Sequence, residues 1–225
     1  MLRPSTAILS LCTTLALGLA AAPADAQLME VAEPKRFEIT PTFGYQWGGS
    51  FDVGAGQGLP AGQLQLQDSF AWGAIISFLA QMGSAVELTY LRQDTDIHFD
   101  PSGGGGQVDL GGFAMNYIQI GGRQEFGHSE KIRPFISGSL GINILDPKEG
   151  DLGSSTRFSW SLGGGAKYIF SADGRFGLRT DLKFWSTPVP SGEIGVWCGF
   201  YACVASEGTD WITQGQVSGG LVLAF

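Results

Sequence analysis

WITQGQVSGGLVLAF, residues 211–225, is the stretch on which the fold turns. Counted back from Phe225, one row holds Leu223, Leu221, Gly219 and Val217 and begins at Trp211. The other holds Ala224, Val222, Gly220, Ser218, Gln216 and Gln214. A period of two is the period of a β-strand. One row is apolar with an aromatic at each end, and the other is mostly small or polar. A strand of about 10 residues, apolar on one face and bounded by aromatics, matches the height of a bilayer core.

The same alternation recurs upstream. Phe37, Ile39, Pro41, Phe43, Tyr45 and Trp47 form the apolar row of a first strand, in which Pro41 costs a ladder bond and predicts a bulge or distortion. Phe70 to Phe78 gives a second strand and Val86 to Tyr90 a third. The fourth, from Phe113 to Phe126, changes phase: Phe113, Met115 and Tyr117 share one parity, Ile118 and Ile120 the other. A bulge near Tyr117 would reconcile them. Ile136 to Ile144 is a fifth strand, Phe158 to Phe170 a sixth and Phe176 to Phe184 a seventh. With the closing stretch, the reading is of eight strands. The connections at 48–67, 92–110, 146–156 and 186–210 are long, and those near 81–84, 127–133 and 171–174 are short. Strict alternation of long and short connections is the habit of an up-and-down barrel with turns on one side of a membrane and loops on the other.

Composition agrees. Only 15% of residues are charged and 35 are Gly, yet no apolar run after residue 26 approaches the ~20 residues of a membrane helix. Residues 1–26 read as a secretory signal peptide: Arg3, an apolar stretch from Ala7 to Ala22, and Ala24-Asp25-Ala26 as the cleavage motif. Residues 27–35 read as a short periplasmic leader and 36–225 as the barrel. The net charge of −8 argues against nucleic acid as a partner.

The signal peptide, the eight alternating segments, the Gly-rich SLGGGAKYIF (161–170) and the terminal GGLVLAF (219–225) together resemble the small eight-stranded outer-membrane barrels of the OmpA/OmpX-like superfamily. The resemblance implies an all-β, eight-stranded antiparallel transmembrane barrel in a bacterial outer membrane. It also implies surroundings of outer-membrane lipid and lipopolysaccharide, a barrel assembly machinery that reads Phe225 as a signal, and a monomer without cofactor or metal. A soluble lipocalin-like barrel would turn the aromatic rows inward, where eight strands leave too little room for them.

Alternation then assigns an inward row of charge: Glu38, Glu87, Arg157, Lys167, Arg179, Asp181 and Lys183, joined by Arg123 and Glu125 beyond the strand-four bulge. Facing lipid, each would cost a few kcal/mol; facing a narrow lumen, they can pair and plug it. Asp94, Asp96, Asp100 and Asp109 make the second long loop acidic, which raises Ca²⁺, but solvated carboxylates are the expected state. Cys198 and Cys203, in an exported chain, point to a disulfide bracing a loop that bears Trp197, Phe200 and Tyr201 as contact residues. The expected role is therefore non-enzymatic, structural or surface-interactive. A narrow channel for small solutes is the alternative. A lipid-modifying enzyme built around His98 comes third, since a Gly-rich loop fixes no catalytic geometry.

Overall fold

The computed structural model describes residues 36–53, 62–80, 83–104, 106–127, 129, 131–148, 154–189, 197–198, 203–204 and 210–225. The expected signal peptide and leader fall outside the described residues. The elements are β1 (Phe37–Gly48), β2 (Ser50–Val53), β3 (Gly62–Leu66), β4 (Ser69–Leu79), β5 (Ser84–Pro101), β6 (Val108–Glu125), β7 (Ile132–Pro147), β8 (Ser155–Ile169), β9 (Phe176–Val189), β10 (Trp197–Cys198), β11 (Cys203–Val204) and β12 (Asp210–Ala224). β1, β4, β5, β6, β7, β8, β9 and β12 pair antiparallel in sequence order, and β12 returns to β1. The expected eight-stranded barrel is closed, so no strand of the wall is left with a bare edge.

The registers fix the barrel's shape. A path from Glu38 through Ser77, Glu87, Gly121, Ser139, Ser161, Trp185 and Gln214 rejoins β1 at Gly48, ten residues further along. That stagger tilts the strands by roughly 40° to the barrel axis. Each short turn has a glycine in the left-handed region, Gly83 (φ 74°), Gly127 (φ 95°) and Gly174 (φ 64°), a conformation that side chains resist.

The outward rows are those read from sequence. Ile120, Leu140, Leu162 and Leu182 stand exposed around the waist, with no protein to cover them. Phe37, Phe78, Phe170, Phe176 and Phe225 ring the short-turn end, and Tyr45, Trp47, Phe70, Trp72 and Trp211 ring the long-loop end. Phe225 stacks on Phe37 with ring centroids 5.0 Å apart, and its N–H donates to the Phe37 carbonyl at 3.0 Å.

Three expectations are corrected, and at Pro41 the expected bulge or distortion is a distortion. Strand four has no bulge near Tyr117: β6 stays in register with β7 from Phe113 to Glu125, and the shift in its pairing with β5 falls at Ile97/His98. Phe113, Met115 and Tyr117 point inward, where they pack with Leu91, Leu145, Trp185 and Ile212. Pro41 makes no bulge either. The rungs Thr40–Val222 and Pro41–Leu221 are missing on the β12 side, but Ile39–Leu223 and Thr42–Gly220 keep one register, as expected of a residue that lacks only its N–H. The span 92–110 is mostly strand: β5 runs to Pro101 and β6 starts at Val108. Acidic Asp94, Asp96 and Asp100 alternate there with inward Thr95, Ile97 and Phe99. Within 48–67, β2 and β3 form a hairpin, and β3 pairs with the extension of β5, seating Leu64 against Phe99.

Candidate functional site

The lumen is filled at three levels. At the short-turn end, the inward residues of β1, β5, β6, β8 and β9 bring the charged row together. Arg123 Nη2 lies 2.9 Å from Glu38 Oε2 and 3.0 Å from Glu125 Oε1, and its Nη1 lies 3.0 Å from Glu87 Oε1. Lys167 Nζ donates to Glu38 at 2.6 Å and to Glu125 at 2.7 Å. Arg179 forks onto Glu87 (2.6 and 3.2 Å) and, through Nε and Nη2, onto Asp181 (both 2.8 Å). Ser77 Oγ adds a donor to Glu87 at 3.1 Å. The two Arg179 forks are the bidentate, charge-assisted contacts that compensate desolvation most completely, whereas Arg123 Nη1 is close to Glu87 without hydrogen-bond geometry.

Nine residues were read as one lumen network, and eight of them converge. Arg157 does not. It has the right parity but sits ten positions from Lys167 on β8, about 33 Å along the strand, at the long-loop end. Three participants are outside that set, Ser77 among them. Arg133, 44% exposed at the rim, reaches Glu125 Oε2 at 3.6 Å. Phe135 lies inside, with the guanidinium of Arg179 4.6 Å and that of Arg123 5.8 Å from its ring centre. Its parity matches Ser137 and Ser139, which was the available signal.

A layer of amides and hydroxyls follows. Gln214 Oε1 accepts from Gln46 Nε2 (2.8 Å) and from the Tyr117 hydroxyl (2.7 Å), and Gln214 Nε2 donates to Gln93 at 3.0 Å. Trp185 Nε1 donates to Gln216 at 2.9 Å, and Gln119 joins Ser139, Ser159 and Ser161. Above it Leu66, Leu91, Phe113, Met115, Leu145 and Ile212 pack around Tyr117 and Trp185, whose ring centroids are 4.7 Å apart. This cluster narrows the long-loop half of the lumen, with Thr95, Asn143 and Thr187 as buried polar residues at the same level.

Outside the lumen, β5 shows where the environment changes. Its outward row runs Val86, Leu88, Tyr90 and then Arg92, Asp94, Asp96, His98, Asp100. Arg92 donates to both Asp94 oxygens (3.2 and 3.0 Å), and Lys148 Nζ lies 2.9 Å from one of them. The Arg92 hydrogen bonds, with Lys148 beside them, hold the Asp94 carboxyl below its ordinary range. His98 Nδ1 is 3.9 Å from Asp109 Oδ1. Among the described residues no three His, Cys, Asp or Glu side chains converge on a point that could hold a metal. Cys198 and Cys203 stand directly opposite each other in the β10–β11 pair, and Trp197 opposite Val204. The side chains of this hairpin, and Phe200 and Tyr201 altogether, lie outside the described residues.

No family model and no curated protein matches the chain. Among solved structures it is similar to Neisserial surface protein A, with a TM-score of 0.55 and 12% identity over 84% of this chain and 97% of that one. OprG from Pseudomonas aeruginosa matches with a TM-score of 0.55 and 11% identity, over 85% of this chain and 96% of that one. The outer membrane protein AlkL matches with a TM-score of 0.50 and 12% identity, over 90% and 97%. The chain therefore has the fold of the small eight-stranded outer-membrane barrels.

Proposed function

We propose that this chain is a non-enzymatic barrel of the bacterial outer membrane that closes its own lumen and acts through its outer surface. The observation that carries the reading is the inversion of the fold: apolar side chains face out between two aromatic rings, while paired charges are buried inside. A water-soluble barrel would be penalised on both counts. The three filled levels favour a structural or surface-interactive role over passage of solute.

The long-loop end supplies the surface. The extended β5–β6 ladder, flanked by the β2–β3 hairpin, raises an ordered sheet beyond the aromatic ring. Its outward side is acidic, with Asp96, Asp100 and Asp109 solvent-facing, so a contacting partner with basic groups fits it better than a polyanion does. In proteoliposomes, the purified protein is expected to give no solute-dependent swelling and to leave the mass spectrum of added lipid A unchanged. Swelling at open-pore rates would replace this reading with a channel, and a shifted lipid mass with an enzyme.

The β10–β11 register supports a Cys198–Cys203 bridge. Residues directly opposite in an antiparallel pair have Cα atoms about 4.5–5.5 Å apart, within the span of a disulfide. Alkylation of the unfolded protein is expected to label both cysteines only after reduction; equal labelling without reductant would remove the bridge.

A further inference from the structure

Every neighbouring pair of strands in the wall but one follows directly along the chain. The exception is β1 with β12, the seam that closes the barrel. Its inner contact between Gln46 and Gln214 joins residues 168 apart in sequence. The seam is also one ladder bond short. The rungs Thr40–Val222 and Pro41–Leu221 are missing, and Pro41 has no N–H to give. The ends of the seam therefore carry more of its closure than the ends of the other ladders do.

At the short-turn end, Phe225 stacks on Phe37. At the long-loop end, Trp47 stands directly opposite Gly215. Its indole lies over that glycine: a Cβ at Gly215 would come within 2.6 Å of Trp47 Cε2 and 2.7 Å of Nε1. At Gly122, Gly138 and Gly219, also outward, a Cβ would meet no atom nearer than 3.6 Å. The bare backbone at Gly215 thus makes a seat that a ring from the neighbouring strand fills. Lipid is as apolar as the ring, so close packing is what holds such a contact in a membrane.

The inner face is fastened at the same place. Gln46 Nε2 donates to Gln214 Oε1 at 2.8 Å, and Gln214 Nε2 donates to the Gly48 carbonyl at 3.3 Å. The Gly48 N–H donates to Asp68 Oδ1 at 3.0 Å, at the other foot of the β2–β3 hairpin. The Leu66 N–H donates to the Gly49 carbonyl at 2.8 Å. The top of the seam is therefore also the root of the surface hairpin.

We propose that Trp47 and Gly215 form a clasp that holds the closing seam, and that releasing it loosens both the seam and the root of the β2–β3 hairpin. Lifting the indole leaves the top of the seam to the Gln46–Gln214 contact. Strain there passes through Gly48 and Gly49 to Asp68 and Leu66. The clasp is a conformational link between the membrane wall and the surface sheet, and it requires no open lumen.

Urea-driven unfolding in lipid vesicles, followed by heat-modifiable gel mobility, tests it. Gly215→Val is expected to unfold about tenfold faster than the wild type, because the added side chain displaces the indole. Gly219→Val adds the same side chain to an open outward position on the same strand and is expected to stay within about twofold. Trp47→Ala is expected to unfold faster as well, and Gly215→Val to add little in that background, since the ring it displaces is gone. Hydrogen exchange locates the effect. In Trp47→Ala, the amides of Tyr45 and Val217 in the seam and of Leu66 at the hairpin root are expected to exchange faster, with Thr89 and Gln119 in the β5–β6 ladder unchanged. Trp72→Ala, which removes an aromatic of the same ring away from the seam, is expected to leave Tyr45 and Val217 unchanged. If Gly215→Val does not insert, the exchange contrast between Trp47→Ala and Trp72→Ala decides. Equal unfolding rates for Gly215→Val and Gly219→Val, full additivity with Trp47→Ala, or the same seam exchange in Trp47→Ala and Trp72→Ala would overturn the proposal.

Discussion

Arg179→Met is expected to destabilise the barrel by about 3–5 kcal/mol, the usual cost of removing one partner from a buried ionic group. Arg179 carries four charge-assisted contacts, two to Glu87 and two to Asp181, while its guanidinium lies 4.6 Å from the Phe135 ring centre. Without it both carboxylates remain in a lumen from which water is largely excluded. Glu87 retains Arg123 and Ser77; Asp181 retains Lys183 at 4.0 Å. Arg179→Lys should fall between the two, because an ammonium keeps the charge but cannot fork onto two carboxylates at once. Urea unfolding in lipid vesicles measures the loss. A loss below about 1 kcal/mol would mean that the ionic layer is well hydrated, as in an open pore.

Leu140→Arg is expected to cost about 2–4 kcal/mol, the penalty for a cationic side chain near the bilayer midplane. Leu140 is 58% exposed at the waist of the barrel, opposite Ile120 and Trp160 on the neighbouring strands. The useful control is Asp96→Arg, also outward but beyond the aromatic ring, which should change stability by no more than about 0.5 kcal/mol. A water-soluble barrel would show no such contrast, since an exposed leucine gives up little to arginine in water. Insertion yield into vesicles and the urea midpoint should move together for Leu140→Arg. Equal behaviour of the two variants would contradict membrane residence.

Sequence was informative wherever the two faces of a strand differ chemically. Phe158 to Phe170 and Phe176 to Phe184 alternate lipid-compatible with polar side chains, so strand, face and inward charge could all be read together. It was uninformative where both faces are apolar. Phe113, Met115 and Tyr117 look like a lipid-facing run, and only the uninterrupted pairing of β6 with β7 turns them into the lumen. A clue was present: Leu91, Leu145, Trp185 and Ile212 break the polar parity of their rows too, each close to a long connection. Four such breaks at one end describe an apolar plug, but each alone reads as noise.

The extension of β5 was hidden for the opposite reason. Asp94, Asp96 and Asp100 have low strand propensity, and Ile97 and Phe99 between them are too few to outweigh it locally. They are held by long-range pairing with β3 and β6, which no local pattern records. The lumen partners followed from parity, but which acid meets which base depends on the stagger of the registers. That is why Arg157, with the correct parity, stands far from the network it was expected to join.

Planar-bilayer recording is the most direct test of a barrel that closes itself. The account expects no steady unitary current from the wild type, and none from Arg179→Met, because the apolar cluster around Tyr117 and Trp185 still blocks the long-loop half. Steady, resolvable channels from the wild type, altered in Arg179→Met, would show that the ionic layer lines a conducting path and would contradict the closed lumen.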